Sequence, residues 1–135
     1  MENMTLHRQP GELFMAFLIP ALDGSLTPDN RRFNWLWYRN ELDAEALQRH
    51  WTDYIGRKRH TSVRAGRLAA ASLADLTRLA TQRLPTVLAQ LVLATQAPFV
   101  QTIFDALSPA FVEGQGALVG DAACTLRPYT GSGTS

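Results

Sequence analysis

The chain has 135 residues, 46% of them hydrophobic, which is enough for one core of moderate size and argues against disorder throughout. Its 13 basic and 12 acidic residues leave a net charge of +1, so no global field draws it to nucleic acid or to an anionic membrane, and neither is expected as a partner. A single cysteine, Cys124, excludes an internal disulfide, and the longest apolar run, Leu13 to Pro20, is too short to span a bilayer and is not framed as a signal peptide; the expected location is cytoplasmic.

In chain order, Met4 to Gln9 and Leu13 to Ile19 flank the turn signal Pro10-Gly11 and predict a hairpin. A loop rich in turn residues, Asp23-Gly24-Ser25 and Pro28-Asp29-Asn30, leads to Arg32 to Arg39. There a period of two places Phe33, Trp35 and Trp37 on one face and Asn34, Leu36 and Tyr38 on the other. The three strands predict an antiparallel platform. Asp43 suits the N-cap of a helix bearing Leu47, Trp51 and Tyr54 or Ile55, stopped at Gly56. Arg57-Lys58-Arg59-His60 follows as a basic cluster, read as a solvated loop in preference to a phosphate site because no aromatic residue interleaves with it. A second helix is expected from about Ser72 to Leu84 with Leu73, Leu76, Ala80 and Leu84 in one stripe, and beyond Pro85 a third from Val87 to Ala94, packed by Leu88, Leu91 and Val92. Phe99 to Phe104 alternates as a strand, and Gly114-Gln115-Gly116 turns the chain into a closing strand. The fold class expected is α+β, an antiparallel or mixed sheet with two or three helices.

The closing strand carries the chain's most specific run. Leu118 and Val119 read as the end of a short buried strand, and Gly120 removes a side chain where the backbone would hold a ligand away. Asp121 then offers an acceptor suited to hydroxyl groups of a polyol chain. Pro128 stiffens the return, and Gly131 and Gly133 let backbone N–H groups face outward to carbonyl or phosphate oxygens. The plain alternative is turn chemistry followed by a flexible tail.

Other chemistry finds little support. Gly114, Gly116 and Gly120 lie before and at the end of a strand, not at the opening of a helix after one, so they are not a dinucleotide fingerprint. His7, His50 and His60 are far apart, and His50 with Asp53 lacks further ligands, so no metal site is expected. Cys124 has no His or Asn partner and is read as packing, while no serine sits in a G-x-S-x-G frame. No catalytic residue is identified. Trp35 and Trp37 either pack beneath the helices, the preferred reading, or line a pocket for a flat aromatic substrate.

The order of apolar strand, Gly120-Asp121-Ala122-Ala123, Arg127-Pro128 and Gly131-Ser132-Gly133-Thr134 resembles the second flavin-contacting motif of FAD-dependent aromatic hydroxylases. The segments 17–25, 31–40 and 91–105 resemble the substrate-domain sheet of the same family, in the same order. The resemblance implies FAD as cofactor, NAD(P)H and oxygen as co-substrates, and hydroxylation of an electron-rich aromatic or heteroaromatic ring. It implies that Gly120 and Asp121 hold the ribityl chain, that Pro128 lies beside the ring, and that Gly131 and Gly133 face its pyrimidine edge; Tyr129 departs from the histidine frequent after the proline. Residues 1–113 would then be substrate-domain-like and 114–135 a partial FAD segment, without the glycine-rich half or the helix that follows in the family. Such a partial enzyme is expected to be inactive alone. The alternatives are a non-catalytic homodimerisation module built on an exposed sheet edge, or one half of a split flavoprotein that docks a separate Rossmann-type chain.

Overall fold

The hairpin signal at Pro10-Gly11 starts the fold: Gly11 has φ +74°, a left-handed conformation that glycine adopts without steric cost. In the computed structural model, which describes residues 4–41 and 43–127, β1 (Thr5–Gln9) turns there into β2 (Glu12–Ile19). β3 (Arg32–Arg39) pairs along the other edge of β2, giving an antiparallel sheet in the order β1-β2-β3. The register sets Phe14 opposite Trp37 and Ala16 opposite Trp35, so these four side chains share a face. Phe14 and Ala16 are fully buried, and that face carries the core.

The core is completed by two helices, α2 (Ala70–Arg83) and α3 (Thr86–Leu93), which supply Ala80, Leu88, Ala89 and Val92, and by Leu84, which caps the end of α2. Pro85 separates them: Leu84 before it is extended at φ −102°, ψ 148°, as a residue preceding proline prefers. The short helix α1 (Ala44–His50) begins at Asp43, whose Oδ1 accepts a hydrogen bond from the Glu45 N–H at 2.9 Å. Between α1 and α2 runs a loop containing β4 (Ser62–Val63), which pairs with β5 (Val100–Gln101). The α+β class, the three-stranded platform and the three helices all match the sequence expectation.

Four details differ. α1 stops at His50 instead of reaching Gly56, because the backbone beyond it is engaged elsewhere: Arg59 N–H donates to Trp51 O at 2.8 Å and Asp53 N–H to Arg57 O at 3.0 Å. Tyr54 and Ile55 are consequently exposed. In α2 the buried stripe falls on Ser72, Leu79 and Ala80, leaving Leu73 exposed, because the Ser72 hydroxyl donates to Arg49 O at 3.1 Å and turns that face toward α1. The strand expected over Phe99 to Phe104 contracts to Val100–Gln101, with both phenylalanines exposed. Finally, Leu118 and Val119 are exposed and lie outside a strand.

The chain divides into two compact units, 1–100 and 101–135. The second contains two small antiparallel pairs, β6 (Ala106–Leu107) with β9 (Cys124–Thr125), and β7 (Val112–Glu113) with β8 (Gly116–Ala117). None of its described residues, 101–127, is buried.

Candidate functional site

The Gly-Asp run sits in this second unit. Val119 is extended at φ −135°, ψ 159°, and Gly120 then takes φ +59°, opening a single 3-10 turn over Gly120–Ala122. Among the described residues, and its two chain neighbours aside, nothing lies within 4 Å of where a Cβ would stand on Gly120, so its backbone conformation at φ +59°, and not crowding by those residues, calls for glycine. The turn is closed by Ala123 N–H donating to Gly120 O at 3.0 Å, and the Thr125 hydroxyl donates to Asp121 O at 3.0 Å. The Asp121 backbone is thereby fixed while its exposed carboxylate accepts no hydrogen bond among the described residues. Two hydrogen-bonded anchors steady the surroundings. Ser108 N–H donates to Ala123 O at 2.9 Å. The Asp105 carboxylate accepts from Arg127 N–H at 2.9 Å and pairs with Arg127 Nε at 2.8 Å. Arg127 immediately precedes Pro128; Pro128, Gly131 and Gly133 lie outside the described residues.

Cys124 is half-buried within β9, opposite Leu107. Among the described residues no group of His, Cys, Asp and Glu is arranged to hold a metal ion. No described helix is long and apolar enough to cross a membrane.

In the first unit, the structure brings the indole pair against the core. The Trp35 ring stacks on Phe14 with centroids 5.7 Å apart, and the Trp37 ring meets Phe14 edge-on at 6.1 Å. Both indole N–H donors are engaged, Trp35 Nε1 with the Thr95 hydroxyl at 2.8 Å and Trp37 Nε1 with Glu12 Oε2 at 3.1 Å. This is the packing arrangement that the sequence reading preferred.

Glu12 went unnoticed in the sequence. Its buried carboxylate also accepts from Gln9 Nε2 at 2.6 Å, is paired with Arg83 of α2, and lies 3.5 Å from Arg39 Nε. Burial alone would raise its pKa, but the hydrogen bonds from Gln9, Arg83 and Trp37 and the charge of Arg83 outweigh it and hold the carboxyl below the usual range. The signal available was a charged residue in the period-two row of Phe14 and Ala16 at the start of β2, a position that requires partners from other elements. By sequence spacing alone Asp53 is only a weak companion of His50. It is in fact almost completely buried, with its carboxylate accepting from Ile55 N–H at 3.1 Å, Arg57 N–H at 2.9 Å and Arg59 Nε at 2.9 Å.

The chain belongs to the FAD binding domain-like family, whose model it matches over residues 1–105, a span that holds the three-stranded platform and its helices and ends before the turn at Gly120. FAD is the cofactor of that family. The chain is similar to the 2,6-dihydroxypyridine 3-monooxygenase of Paenarthrobacter nicotinovorans, with 32% identity over 119 residues, which is 88% of this chain and 29% of that protein. It also superposes on the solved structure of 2,6-dihydroxypyridine-3-hydroxylase from Arthrobacter nicotinovorans, with a TM-score of 0.81 and 30% identity over 96% of this chain and 32% of the other. The chain thus spans about a third of the length of these relatives.

Proposed function

We propose that this chain is the substrate-domain portion, with part of the flavin site, of an FAD-dependent monooxygenase that hydroxylates an electron-rich aromatic or heteroaromatic ring using NAD(P)H and oxygen. Residues 1–113 would form the substrate-domain sheet and helices, and 114–135 the partial FAD segment. The observation that carries this reading is the turn at Gly120: a fixed backbone presents Asp121 outward with its acceptor capacity unused by the described residues. The fit to FAD is chemical, since a carboxylate accepts from the hydroxyl groups of a ribityl chain. Gly120 and Asp121 are assigned that contact, and Pro128, Gly131 and Gly133 the ring edge. FAD would supply the redox chemistry; these residues bind and orient it. A cofactor of this size needs contacts from a glycine-rich half as well, so the chain alone is proposed to be inactive.

The test is an absorbance spectrum of the purified chain after incubation with FAD and desalting, alongside Asp121→Ala. Retained flavin with a shifted band, reduced at least several-fold in the variant, supports the assignment. A folded protein that retains flavin equally with and without Asp121 refutes it, and hydroxylated product from the chain with NAD(P)H alone refutes the proposed inactivity.

A second reading is favoured by the other side of the sheet. Alternation away from Phe14 and Ala16 places Leu13, Met15, Phe17, Leu36 and Tyr38 on the opposite face, all only half-buried. An apolar sheet face of this kind suits a covering chain, and the reading is a split flavoprotein in which a separate Rossmann-type chain docks there. Sedimentation separates the outcomes: a concentration-dependent homodimer favours self-association, and a monomer that binds an added Rossmann-type chain favours the split protein.

A further inference from the structure

The loop between α1 and α2 contains Arg57, Lys58, Arg59, Arg64 and Arg67 against one carboxylate, Asp53, in a chain whose net charge is only +1. Little of this positive charge is neutralised. Asp53 takes Arg59, with Oδ2 accepting at 2.9 Å from Nε and 2.7 Å from Nη2. Lys58 Nζ donates to the neutral Gln48 Oε1 at 3.0 Å, and the Arg67 guanidinium lies 4.9 Å above the Tyr54 ring. Arg57 and Arg64 form no ion pair among the described residues.

The cations are held on a fixed backbone. Tyr54 N–H donates to Arg67 O at 2.9 Å, Gly56 N–H to Asp53 O at 2.9 Å and Arg67 N–H to Arg64 O at 3.0 Å, while the Asp53 carboxylate gathers the amides of Ile55 and Arg57. Asp53 remains ionised: burial would raise its pKa, but the hydrogen bonds from Arg57 N–H, Arg59 and Ile55 N–H and the charge of Arg59 lower it overall. The loop encloses an open concavity of about 720 Å³ with Tyr54, Arg57, Arg59, His60, Arg64 and Arg67 in its walls.

We propose that this concavity is a binding site for a phosphate-bearing small molecule that carries a pyrophosphate group. Guanidinium groups present planar forks of N–H donors that match phosphate oxygens in bidentate geometry, and Arg57 and Arg64, which no described carboxylate neutralises, line the same hollow, so that a multivalent anion is favoured over a single carboxylate. The volume of the hollow lies within the range of small-molecule clefts, and its open side leaves part of the occupant in solvent, as suits a charged ligand. Tyr54, whose hydroxyl accepts from the Arg67 guanidinium and whose backbone N–H donates to Arg67 O, is the aromatic residue of the wall. The site lies in the first unit and does not depend on the flavin assignment at Asp121.

The experiment is a titration of the full chain with inorganic pyrophosphate at constant ionic strength, followed by amide chemical shifts, and repeated for Arg57→Gln/Arg64→Gln. Expected are saturable shifts confined to residues 53–67 and an affinity at least tenfold lower in the double variant, whose remaining amide spectrum confirms its fold. ADP is the second probe: tighter binding than pyrophosphate, with added shifts at Tyr54, identifies a nucleotide source, and equal binding identifies a free anion. Absence of saturation, equal competition by sulfate or chloride, or binding confined to long polyanions such as duplex DNA overturns the proposal.

Discussion

Glu12→Gln removes the negative charge that joins the sheet to α2 while preserving side-chain size. In the native chain the carboxylate, only 6% exposed, receives Gln9, Trp37 and Arg83 and sits beside Arg39. Hydrogen bonds to a charged group contribute roughly 1.5–3 kcal/mol each, and breaking a fully buried pair costs roughly 3–5 kcal/mol. Arg83 is about half exposed and Arg39 partly so; both regain water in the variant, and the amide oxygen keeps one acceptor, which lowers the expected loss to about 2–3 kcal/mol. For a chain of this size that corresponds to a fall in Tm of roughly 6–10 °C. The pH dependence has a defined sign. Because the folded-state pKa is depressed, the stabilisation is complete above the unfolded carboxylate's value, near 4.5, and is lost as pH falls through the folded value. Urea unfolding followed by circular dichroism, at pH 7 and at steps below pH 4.5, therefore compares the two proteins. A difference below about 0.5 kcal/mol at pH 7, or one unchanged by acid, refutes the role assigned to Glu12.

Three further outcomes are expected. His50 is held below 6.5 by burial and by the positive charge of Arg39, against the opposing pull of Asp75 and of Glu41, 3.8 Å away. Its proton NMR titration should give a midpoint under 6.5, and its contribution to stability should be present above that value and lost as pH falls; a midpoint above 6.5 would mean that Glu41 and Asp75 dominate. Trp35→Phe keeps an aromatic ring against Phe14 but leaves the Thr95 hydroxyl without its indole partner, for an expected loss of about 1–2 kcal/mol in urea unfolding; no loss would mean that the 2.8 Å bond contributes nothing. Asp53→Asn weakens the hold on Arg59 and on the loop amides, so trypsin should cut between Arg57 and Arg67 faster than in the native chain, with equal cleavage rates as the refuting result.

The platform was legible because its information is local: Gly11 demands a turn, and alternating aromatic residues in β3 fit one pleated face whatever packs on them. The helices were legible as elements but not to the residue, since which stripe of α2 is buried depends on Ser72 reaching the carbonyl of Arg49 across to another helix. The loop after α1 departs from its helical expectation for the same reason. Nothing in Trp51 to Gly56 opposes a helix, yet the backbone there bonds to Arg57, Arg59 and Arg67, and a buried Asp53 becomes stable only once those partners are in place.

At the segment proposed to contact flavin the limit is different. Leu118 and Val119 have strand composition, but a strand forms only where a neighbouring edge completes its hydrogen bonds, and among the described residues β8 finds only the two residues of β7. What survives from the sequence is the part that needs no neighbour: a glycine at φ +59° and the carboxylate after it. Exposure of Phe111, Val112, Leu118 and Val119 around that turn has the opposite meaning from exposure of a polar loop, because apolar area left in water is area that association with a further surface would stabilise. A turn geometry set by its own backbone, within a unit that has no buried residue among those described, fits the cofactor contact proposed for Asp121, since neither depends on a core of the unit's own.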